Sequence, residues 1–342
     1  MPPPQDARLK PVLIVGAGFS GAVIARELAD AGRPVRLIDR RPHLGGNAHD
    51  QVNEHGIRIH TYGPHLFHTA NQAVVQWLSR FTGWLPYRHR VKAMLADGRL
   101  VTMPVNAETT AIVGRDRLVD VLFRPYTRKM WGLQPEQLDA SVLSRVPIRE
   151  DMNELYFPDD PFQCMPDAGY TALFDRMLDH PLIDTQLGVA YERGMEAGFA
   201  HCFNSMAIDE FFDHRLGLLP YRSIRFHTVT LPLPRLLPVA VVNFTHDLPY
   251  TRMTEWKHLP GNPETAVTTL TYEEPCAAED NGHERYYPVK DADGRNRETY
   301  KRYQALVPPD MSFVGRCGQY VYLDMHQAVS AALAVAQRHL QG

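Results

Sequence analysis

The sequence has few cysteines, no long apolar run and no large excess of either charge. Its four cysteines, Cys164, Cys202, Cys276 and Cys317, are far apart and form no CxxC pair, which argues against a zinc site or a disulfide framework. The longest apolar run, near residues 12–25, contains three glycines and is shorter than the ~20 residues of a membrane span. A net charge of −3 gives no bulk attraction to nucleic acid or anionic lipid. These absences predict a cytoplasmic protein without a metal site, a membrane span or a nucleic-acid partner.

What the sequence does contain is a glycine cluster between a predicted strand and a predicted helix. Residues 10–39 have the pattern of strand, turn, helix and strand. Gly16, Gly18 and Gly21 form a GxGxxG motif in the turn, where the backbone can approach a pyrophosphate at the helix N-terminus. Asp39 ends the second strand, where an acid can accept hydrogen bonds from ribose hydroxyls. The segment therefore predicts a dinucleotide site.

A second glycine pair, Gly45-Gly46, follows soon after that acid in the stretch RRPHLGGN. A nicotinamide site needs only the first cluster. In FAD-binding folds of the glutathione-reductase type, which this region resembles, a further glycine turn passes close to the cofactor. We interpret the pair as indicating FAD, with a solvent loop that happens to contain two glycines as the alternative.

The rest of the chain divides into a helical region and segments of alternating polarity. Segments 90–104, 221–233 and 264–275 alternate and should share one antiparallel sheet, and the chain closes with a predicted helix from Met325. The predicted fold class is α/β, with a Rossmann-like FAD-binding domain, a helical insert and an antiparallel sheet domain. The predicted domains are a discontinuous FAD-binding domain (10–70, 185–220 and 308–342), a helical domain (105–180), in which Pro125 breaks a helix, and a sheet domain (71–104 and 221–307).

Six motifs occur in one order along the chain: YGPHLFHT (62–69), YTRKMWG (126–132), SRVPIR (144–149), YFPDDPFQCMPDAGYT (156–171), PYTRMTEWKH (249–258) and GRCGQYVYLDM (315–325). Together they resemble the bacterial UDP-galactopyranose mutases, and the resemblance runs from about residue 12 to 340. It implies a flavoenzyme that interconverts UDP-galactopyranose and UDP-galactofuranose without net redox change. It also implies that N5 of reduced FAD displaces UDP from the anomeric carbon, that the sugar opens and recloses while attached to the flavin, and that UDP then returns.

The resemblance implies which residues bind the substrate. Arg145 and Arg252 match the family's diphosphate-binding arginines, and a diphosphate that leaves and returns needs fixed cations. The alternatives are a solvated loop cation for Arg145 and an ion pair with Glu255 or a neighbour for Arg252. The other predicted substrate contacts are Tyr156, Tyr286, Tyr287 and Tyr322 at the phosphates, Tyr126 and Trp131 at the uridine, and Thr127 and Asn243.

The resemblance also places residues beside the flavin. The family has a histidine near N5, and we favour His60 and His65 for that place and as catalytic residues together with the two arginines. Arg316 matches a contact of the flavin ring. Asp324 precedes the last helix, whose N-terminus would stabilise the anion of reduced FAD, although Asp324 could instead be only the helix cap. The predicted cofactor set is Gly16, Gly18, Phe19, Ser20, Gly21, Asp39, Arg40, Gly46, Asn47, His60, Arg316, Tyr322, Asp324 and Met325.

The sequence departs from the family pattern in three places. Leu122 replaces a common phenylalanine, Met130 replaces a frequent glutamine, and FNSMAIDEFF (203–212) lacks the glycine and proline of the family's Thr-Gly-Pro-Ile-Asp run. One alternative function is a mutase for UDP-N-acetylgalactosamine, a deoxysugar or another nucleotide sugar. A flavin oxidase or dehydrogenase is a second alternative, since amine oxidases share the FAD fold, and a non-catalytic flavoprotein is a third. No NADPH domain is visible, so an external electron donor is expected. A homodimer is a separate expectation.

Overall fold

The computed structural model describes residues 10–139 and 147–341 of the 342-residue chain. The described chain forms two compact units, each with its own main sheet. Unit 1 contains the described parts of Met1–His49, Tyr170–Leu218 and Tyr300–Gly342, and unit 2 contains those of Asp50–Gly169 and Leu219–Thr299. The division into three domains made from the sequence stays a prediction.

The strands of the described chain are β1 (Val12–Val15), β2 (Val35–Asp39), β3 (Asp50–Val52), β4 (Arg58–His60), β5 (Phe67–Thr69), β6 (Trp84–Pro86), β7 (Val91–Met94), β8 (Leu100–Met103), β9 (Phe162–Pro166), β10 (Ile183–Leu187), β11 (Cys202–Asn204), β12 (Tyr221–Leu231), β13 (Val241–Phe244), β14 (Arg252–Glu255), β15 (Thr268–Ala277), β16 (Tyr287–Pro288) and β17 (Met311–Phe313). Its α-helices are α1 (Phe19–Asp30), α2 (Gln72–Leu78), α3 (Ala107–Val113), α4 (Arg124–Trp131), α5 (Tyr170–Leu178), α6 (Ile208–Phe211), α7 (Arg295–Gln304), α8 (Gly315–Gly318) and α9 (Met325–Gln341).

The sheet of unit 1 is parallel throughout, in the order β10-β2-β1-β11-β17. All four residues of β1 are buried, as expected for a central parallel strand with both faces covered. Helix α1 packs against α5 and α9. The strand, turn, helix and strand predicted over residues 10–39 are confirmed as β1, α1 and β2. The glycine cluster therefore lies at the carboxyl edge of a parallel sheet, where open α/β sheets bind their ligands.

The main sheet of unit 2 has seven strands in the order β16-β12-β15-β14-β13-β7-β8. The three alternating segments all contribute to it, as β7 with β8, β12 and β15, so their predicted common sheet is confirmed. The sheet is not fully antiparallel, because β13 runs parallel to β7. Two smaller sheets, β3-β4 and β5-β9-β6, complete the unit.

The region predicted to be helical, 105–180, is only partly so. It contains α3, α4 and α5, but also strand β9. Pro125 lies in the first turn of α4 and does not end the helical path, because a π-helical turn, Val119–Phe123, runs directly into α4. Pro125 therefore lies where the π-helical turn changes to the α-helix, and its missing N–H falls at the junction of the two segments.

The described residues contain neither a membrane-spanning helix nor a metal-binding cluster. No helix among them is long and apolar enough to cross a membrane. No group of three or more His, Cys, Asp or Glu side chains among them is arranged to hold a metal ion.

Candidate functional site

The glycine cluster of unit 1 forms a tight turn between β1 and α1. Gly16 has a φ of 109°, a left-handed conformation that favours glycine, and a Cβ there would collide with Ser205. A Cβ on Gly21 would collide with the carbonyl oxygen of Gly16, so Gly21 lets α1 begin close to the turn. Gly18 differs, because its backbone is extended (φ −82°, ψ −176°) and a Cβ there would meet only Gly46 Cα, 3.8 Å away. The space beside Gly18 is therefore a cradle that a side chain would fill.

Helix α1 begins beside this cradle without a cap. Its N-cap residue, Gly18, has no side chain that could cap the first turn, and that turn contains no acidic residue. The N–H groups of Phe19, Ser20 and Gly21 thus have no partner within the helix, and the helix end carries a partial positive charge. These groups fit the pyrophosphate of a dinucleotide.

The second glycine pair packs directly against the first cluster. The Gly45 N–H donates to the Ala17 carbonyl oxygen at 3.0 Å, and a Cβ on Gly46 would lie 3.0 Å from Gly18 Cα. Gly45 has a φ of 90° and Gly46 a φ of 54°. The solvent-loop interpretation of the pair is therefore wrong, because the pair forms a wall of the cradle.

The predicted ribose acceptor, Asp39, ends β2 next to the same turn. Its Oδ2 accepts from the Ala17 N–H at 2.7 Å and its Oδ1 accepts from the Arg41 N–H at 2.8 Å. Each oxygen keeps a lone pair that could accept a ribose hydroxyl. Asn47 accepts from the Arg41 side chain at 2.9 Å, and Arg40 is exposed. The structure places Arg40 and Asn47 in the segment after β2, and their contacts with the cofactor stay predictions.

Segment 203–212 reaches the glycine turn although it lacks the family's glycine and proline. Ser205 donates from its hydroxyl to the Val15 carbonyl oxygen at 2.7 Å, and its backbone N–H donates to the same oxygen at 2.9 Å. Because Gly16 leaves room for the Ser205 side chain, the chain returning from β11 stays close to the turn.

The predicted flavin-ring contact, Arg316, lies on α8. Its guanidinium donates to the Leu323 carbonyl oxygen at 2.7 Å and lies over the Tyr322 ring, 4.9 Å from the ring centroid. The structure therefore brings Arg316 and Tyr322 together. Their roles toward the flavin and the phosphates stay predictions.

Asp324 directly precedes α9, which begins at Met325. The Asp324 carbonyl accepts from the Ala328 N–H at 2.9 Å, and its own N–H donates to the Gln327 side chain at 2.9 Å. This is the Gln half of a capping box, so Asp324 occupies the N-cap position of α9. A contact of Asp324 or Met325 with FAD stays a prediction.

In unit 2 the predicted diphosphate ligand, Arg252, forms an ion pair with a buried carboxylate. Strands β14 and β15 place it opposite Glu273, with Arg252 Nε 2.7 Å from Glu273 Oε2. Burial works to lower the pKa of Arg252, but Glu273, Tyr126 and Tyr287 outweigh it, so the pKa lies well above its usual range and the arginine stays charged. The alternative of an ion pair with Glu255 or a neighbour is therefore met by Glu273 of the adjacent strand and not by Glu255. That carboxylate accepts hydrogen bonds from Leu236, Leu237 and Thr268.

Glu273 is a site residue that sequence reasoning missed. Its side chain is 1% exposed, and its Oε1 has no hydrogen-bond partner among the described residues. Burial raises the pKa of Glu273, and Arg252 only partly opposes this. A buried carboxylate oxygen without a donor is costly, so it favours a ligand site over a purely structural one. One feature of the sequence could have indicated it. Glu273 follows Thr269 and Thr271 at intervals of two along a predicted strand, so this charged side chain lies on the same face of the strand as the two buried threonines.

Three predicted tyrosines lie close to this ion pair. Burial raises the pKa of Tyr126, Arg252 opposes this rise, and Glu273, Tyr156 and Tyr287 add to it. Tyr126 is therefore a neutral hydroxyl at ordinary pH. The structure thus brings these five side chains into one electrostatic neighbourhood, the Arg252 cluster (Arg252, Glu273, Tyr126, Tyr156 and Tyr287).

The remaining predicted substrate contacts lie around this cluster to different degrees. The Trp131 ring meets the Tyr287 ring edge-on with centroids 6.1 Å apart, and Asn243 of β13 pairs with Arg252 of β14. Tyr286 is 3% exposed and packs against the Tyr62 and Phe226 rings. Its surroundings favour core packing, and its predicted bond to a phosphate stays a prediction.

Three residues on the helical path before Trp131 are buried. Leu122 and Met130, which depart from the family pattern, are 1% and 7% exposed, and the predicted substrate contact Thr127 is 8% exposed. The two departures therefore lie in the core of unit 2.

The two histidines favoured for the place near the flavin, His60 and His65, are linked by a hydrogen bond from the backbone of one to the ring of the other. The His65 N–H donates to His60 Nδ1 at 3.0 Å, and the His65 ring donates from Nδ1 to the Gly63 carbonyl oxygen at 2.8 Å. Burial, with a smaller effect of Arg58, lowers the pKa of His60 to about 3, and its ring packs 5.0 Å from that of Trp256. His60 is therefore a neutral acceptor at ordinary pH, and its place near the flavin stays a prediction.

His89 is a second residue that sequence reasoning missed. Its carbonyl oxygen accepts from the Tyr156 N–H at 2.8 Å, and its ring lies 5.6 Å from the Tyr156 ring. Burial lowers the pKa of His89 to about 3, helped by Arg252 and His68. No motif marks this position, and only the fold shows that it supports Tyr156.

The stability of unit 2 is expected to fall in mild acid because His60 and His89 stay neutral in the fold. Their folded pKa values lie below the unfolded value of 6.5, so their contribution is complete above pH 6.5 and is lost as pH falls toward 3. Lowering the pH from 7.5 to 5.5 should therefore reduce the free energy of unfolding by about 1.4 kcal/mol for each of the two histidines. Urea unfolding of the wild type and of His89→Gln at both pH values measures this cost. The exposed His55→Gln is the matched control, and an equal pH dependence in all three proteins would contradict the assignment.

The remaining predicted site residue, Arg145, lies outside the described residues, as does the first half of the SRVPIR motif, residues 144–146. Its role stays a prediction from the sequence.

Comparisons with known proteins agree over nearly the whole chain. The family model described as UDP-galactopyranose mutase matches residues 121–322, and a model described as an NAD(P)-binding Rossmann-like domain matches residues 14–81. A dTDP-fucopyranose mutase of Escherichia coli is 34% identical over 374 residues, which cover 96% of this chain and 98% of that protein. A probable UDP-galactopyranose mutase of Klebsiella pneumoniae is 33% identical, covering 97% of this chain and 95% of that protein.

Solved structures show the same fold. A reduced UDP-galactopyranose mutase matches with a TM-score of 0.73 and 15% identity, covering 97% of this chain and 94% of that one. A protein described as a putative protoporphyrinogen oxidase from Exiguobacterium matches with a TM-score of 0.62 and 13% identity. At these identities the likeness concerns the fold alone.

Proposed function

Because this chain belongs to the UDP-galactopyranose mutase family, we propose that it interconverts UDP-galactopyranose and UDP-galactofuranose. The chain is an isomerase of this family and its cofactor is FAD, for which the Gly18 cradle and the uncapped start of α1 provide a fitting pyrophosphate site. When bound and reduced, FAD supplies the nucleophile that displaces the nucleotide from the anomeric carbon.

The observation that carries the proposal is the charged Arg252, fixed on β14 by Glu273 and close to the neutral Tyr126. A leaving diphosphate gains negative charge, and a cation fixed on a strand can stabilise that charge and keep the group in place until it returns. The raised pKa of Tyr126 keeps its hydroxyl protonated, so it donates a hydrogen bond without adding charge. A fixed cation beside a neutral donor suits a group that must both leave and come back.

Other residues of unit 2 would orient the nucleotide. Trp131 and Tyr126 would offer flat surfaces to the uracil, with stacking contributing ~1–3 kcal/mol per base. His65 holds its ring against the Gly63 carbonyl, which leaves Nε2 as the atom able to accept a proton or a hydrogen bond. These roles, and that of Arg145 as a second cation, are part of the proposal.

A second candidate function is the same isomerisation of a dTDP-activated deoxysugar. The similarity to a dTDP-fucopyranose mutase at 34% identity supports it as strongly as the 33% relative supports the first. Incubating dithionite-reduced protein with UDP-galactopyranose and, separately, with dTDP-fucopyranose, followed by chromatography of the products, separates the two. Furanose product from dTDP-fucopyranose alone would replace the first candidate by the second.

Turnover is expected only in the reduced state. Oxidised flavin is electron-poor and lacks the nucleophile, so oxidised protein should be nearly inert, while dithionite-reduced protein should convert UDP-galactofuranose to UDP-galactopyranose. Anaerobic assays of one preparation in both states measure this difference, with re-oxidation and re-reduction as the control. Equal turnover in both states would contradict nucleophilic flavin chemistry.

We further propose a cytoplasmic homodimer that receives electrons from an external donor and provides galactofuranose for cell wall polysaccharide. The mutase family supports the nucleotide-sugar substrate on which these proposals depend.

A further inference from the structure

Lys129 of α4 is bound by three carbonyl oxygens of a single loop. Its Nζ donates to the carbonyls of Phe244 at 2.8 Å, His246 at 2.9 Å and Tyr250 at 2.9 Å. An ammonium has three donors, so all of them are used. The predicted base contacts Tyr126 and Trp131 lie on the same short helix.

The loop that Lys129 holds is the connection that presents Arg252. It joins β13 to β14, and its two ends are next to Asn243 and Arg252, which pair across these strands. Phe244 is the last residue of β13, and Tyr250 lies two residues before Arg252. The ammonium therefore ties both ends of this hairpin to α4.

A second cation fixes the end of α4 to the sheet. Arg222 of β12 donates to the carbonyl oxygens of Met130 at 2.8 Å and Lys129 at 3.1 Å, which are among the last carbonyls of the helix. A Cβ on Gly132 would come within 3.1 Å of this guanidinium. Helix α4 is thus held at its C-terminus by β12 and at Lys129 by the β13–β14 loop.

We propose that Lys129 is a positioning residue that fixes the distance between the aromatic side chains of α4 and Arg252. Tyr126 lies one turn before Lys129 and interacts electrostatically with Arg252, so the restraint acts between two groups that are already close. This inference rests on the proposed function, because a nucleoside diphosphate must reach the base contacts and the cation at once. A small displacement of one end weakens binding at both.

The charge on Lys129 should make the restraint on the β13–β14 loop depend on pH. Burial lowers the pKa of Lys129 to about 8, Asp247 of the loop opposes this, and Arg128 of the same helix adds to it. Arg222 also faces the backbone of Lys129. Above pH 8 the neutral amine has two donors for three carbonyls, so the restraint should weaken in alkaline solution.

Lys129→Met tests the inference, with Arg128→Met as the matched control. Arg128 lies on the same helix and its guanidinium is 3.6 Å from Asp247 of the same loop, but it is exposed. In the holoenzyme, Lys129→Met should lose hydrogen-exchange protection in residues 244–252 and bind UDP about tenfold more weakly. Arg128→Met should change neither property, and the flavin absorbance and melting temperature report that both variants are folded. The wild type should lose UDP affinity above pH 8, whereas Lys129→Met should not show this step.

The outcomes separate this inference from the proposed function. Wild-type exchange in Lys129→Met would overturn the restraint itself. Lost protection with wild-type UDP affinity would overturn the positioning role and leave Lys129 as a loop restraint only. A wild-type protein that binds neither UDP nor dTDP would overturn the proposed function and the positioning role with it, whereas a loss confined to Lys129→Met supports both.

Discussion

Replacing Arg252 with alanine is expected to lower mutase turnover by at least ~10²-fold, the usual cost of removing a preorganised charge at a site where charge develops. Its guanidinium is held by Glu273 and lies near Tyr126, whose hydroxyl stays neutral, and Tyr287. Arg252→Lys should recover little activity, because a point ammonium cannot both pair with Glu273 through one edge and present a second edge to the diphosphate. Steady-state turnover of reduced protein measures the effect.

A change in folding could imitate this result, and a second variant separates the two. Without Arg252 the buried carboxylate of Glu273 has no opposite charge beside it. A buried charge without its partner costs about 3–5 kcal/mol of stability. The double variant Arg252→Ala/Glu273→Gln removes that charge and should regain stability without regaining turnover. Arg225→Ala is the matched control, because Arg225 pairs with Glu274 one residue further along β15 and that pair is more exposed than the pair of Arg252 and Glu273. Full turnover in the stable double variant would remove Arg252 from the mechanism.

Enlarging Gly18 to valine is expected to abolish FAD binding while leaving the apoprotein folded. The extended backbone at Gly18 accepts any side chain, and a Cβ there meets protein atoms only at 3.8 Å, so the fold pays little. The side chain would instead occupy the cradle at the uncapped start of α1, where the pyrophosphate is predicted to bind. The flavin absorbance of the purified protein and its reconstitution with FAD measure the loss.

Two other glycines of unit 1 provide the controls for Gly18→Val. Gly198 has open space around its Cβ position and is exposed, so Gly198→Val should retain the flavin. Gly21→Ala should instead destabilise the apoprotein, because its Cβ collides with the backbone of Gly16. Normal FAD content in Gly18→Val would place the cofactor elsewhere and remove the basis of the proposed function.

The sequence determined the parts of this protein that depend on local pattern. The run of apolar residues in β1, the glycine turn and the amphipathic α1 are adjacent in the chain, so their periodicity and turn chemistry predict them directly. The alternating segments of the second sheet were predictable for the same reason. The family resemblance added the candidate ligands, since Arg252, Tyr126 and Tyr156 lie in recognisable motifs.

Only the tertiary structure decided which distant residues meet. Arg252 pairs with Glu273, 21 residues away, and not with the nearer Glu255, because the register of β14 against β15 selects the partner and no local pattern encodes register between distant strands. The same holds for the parallel pairing of β13 with β7, for His89 behind Tyr156 and for the three carbonyls around Lys129. The glycines show this difference between local pattern and tertiary structure most clearly. The motif predicts the turn, but only the packing of Gly46 against Gly18 shows which glycine faces the cradle. The distance between these two glycines depends on two separate turns that the parallel sheet brings together.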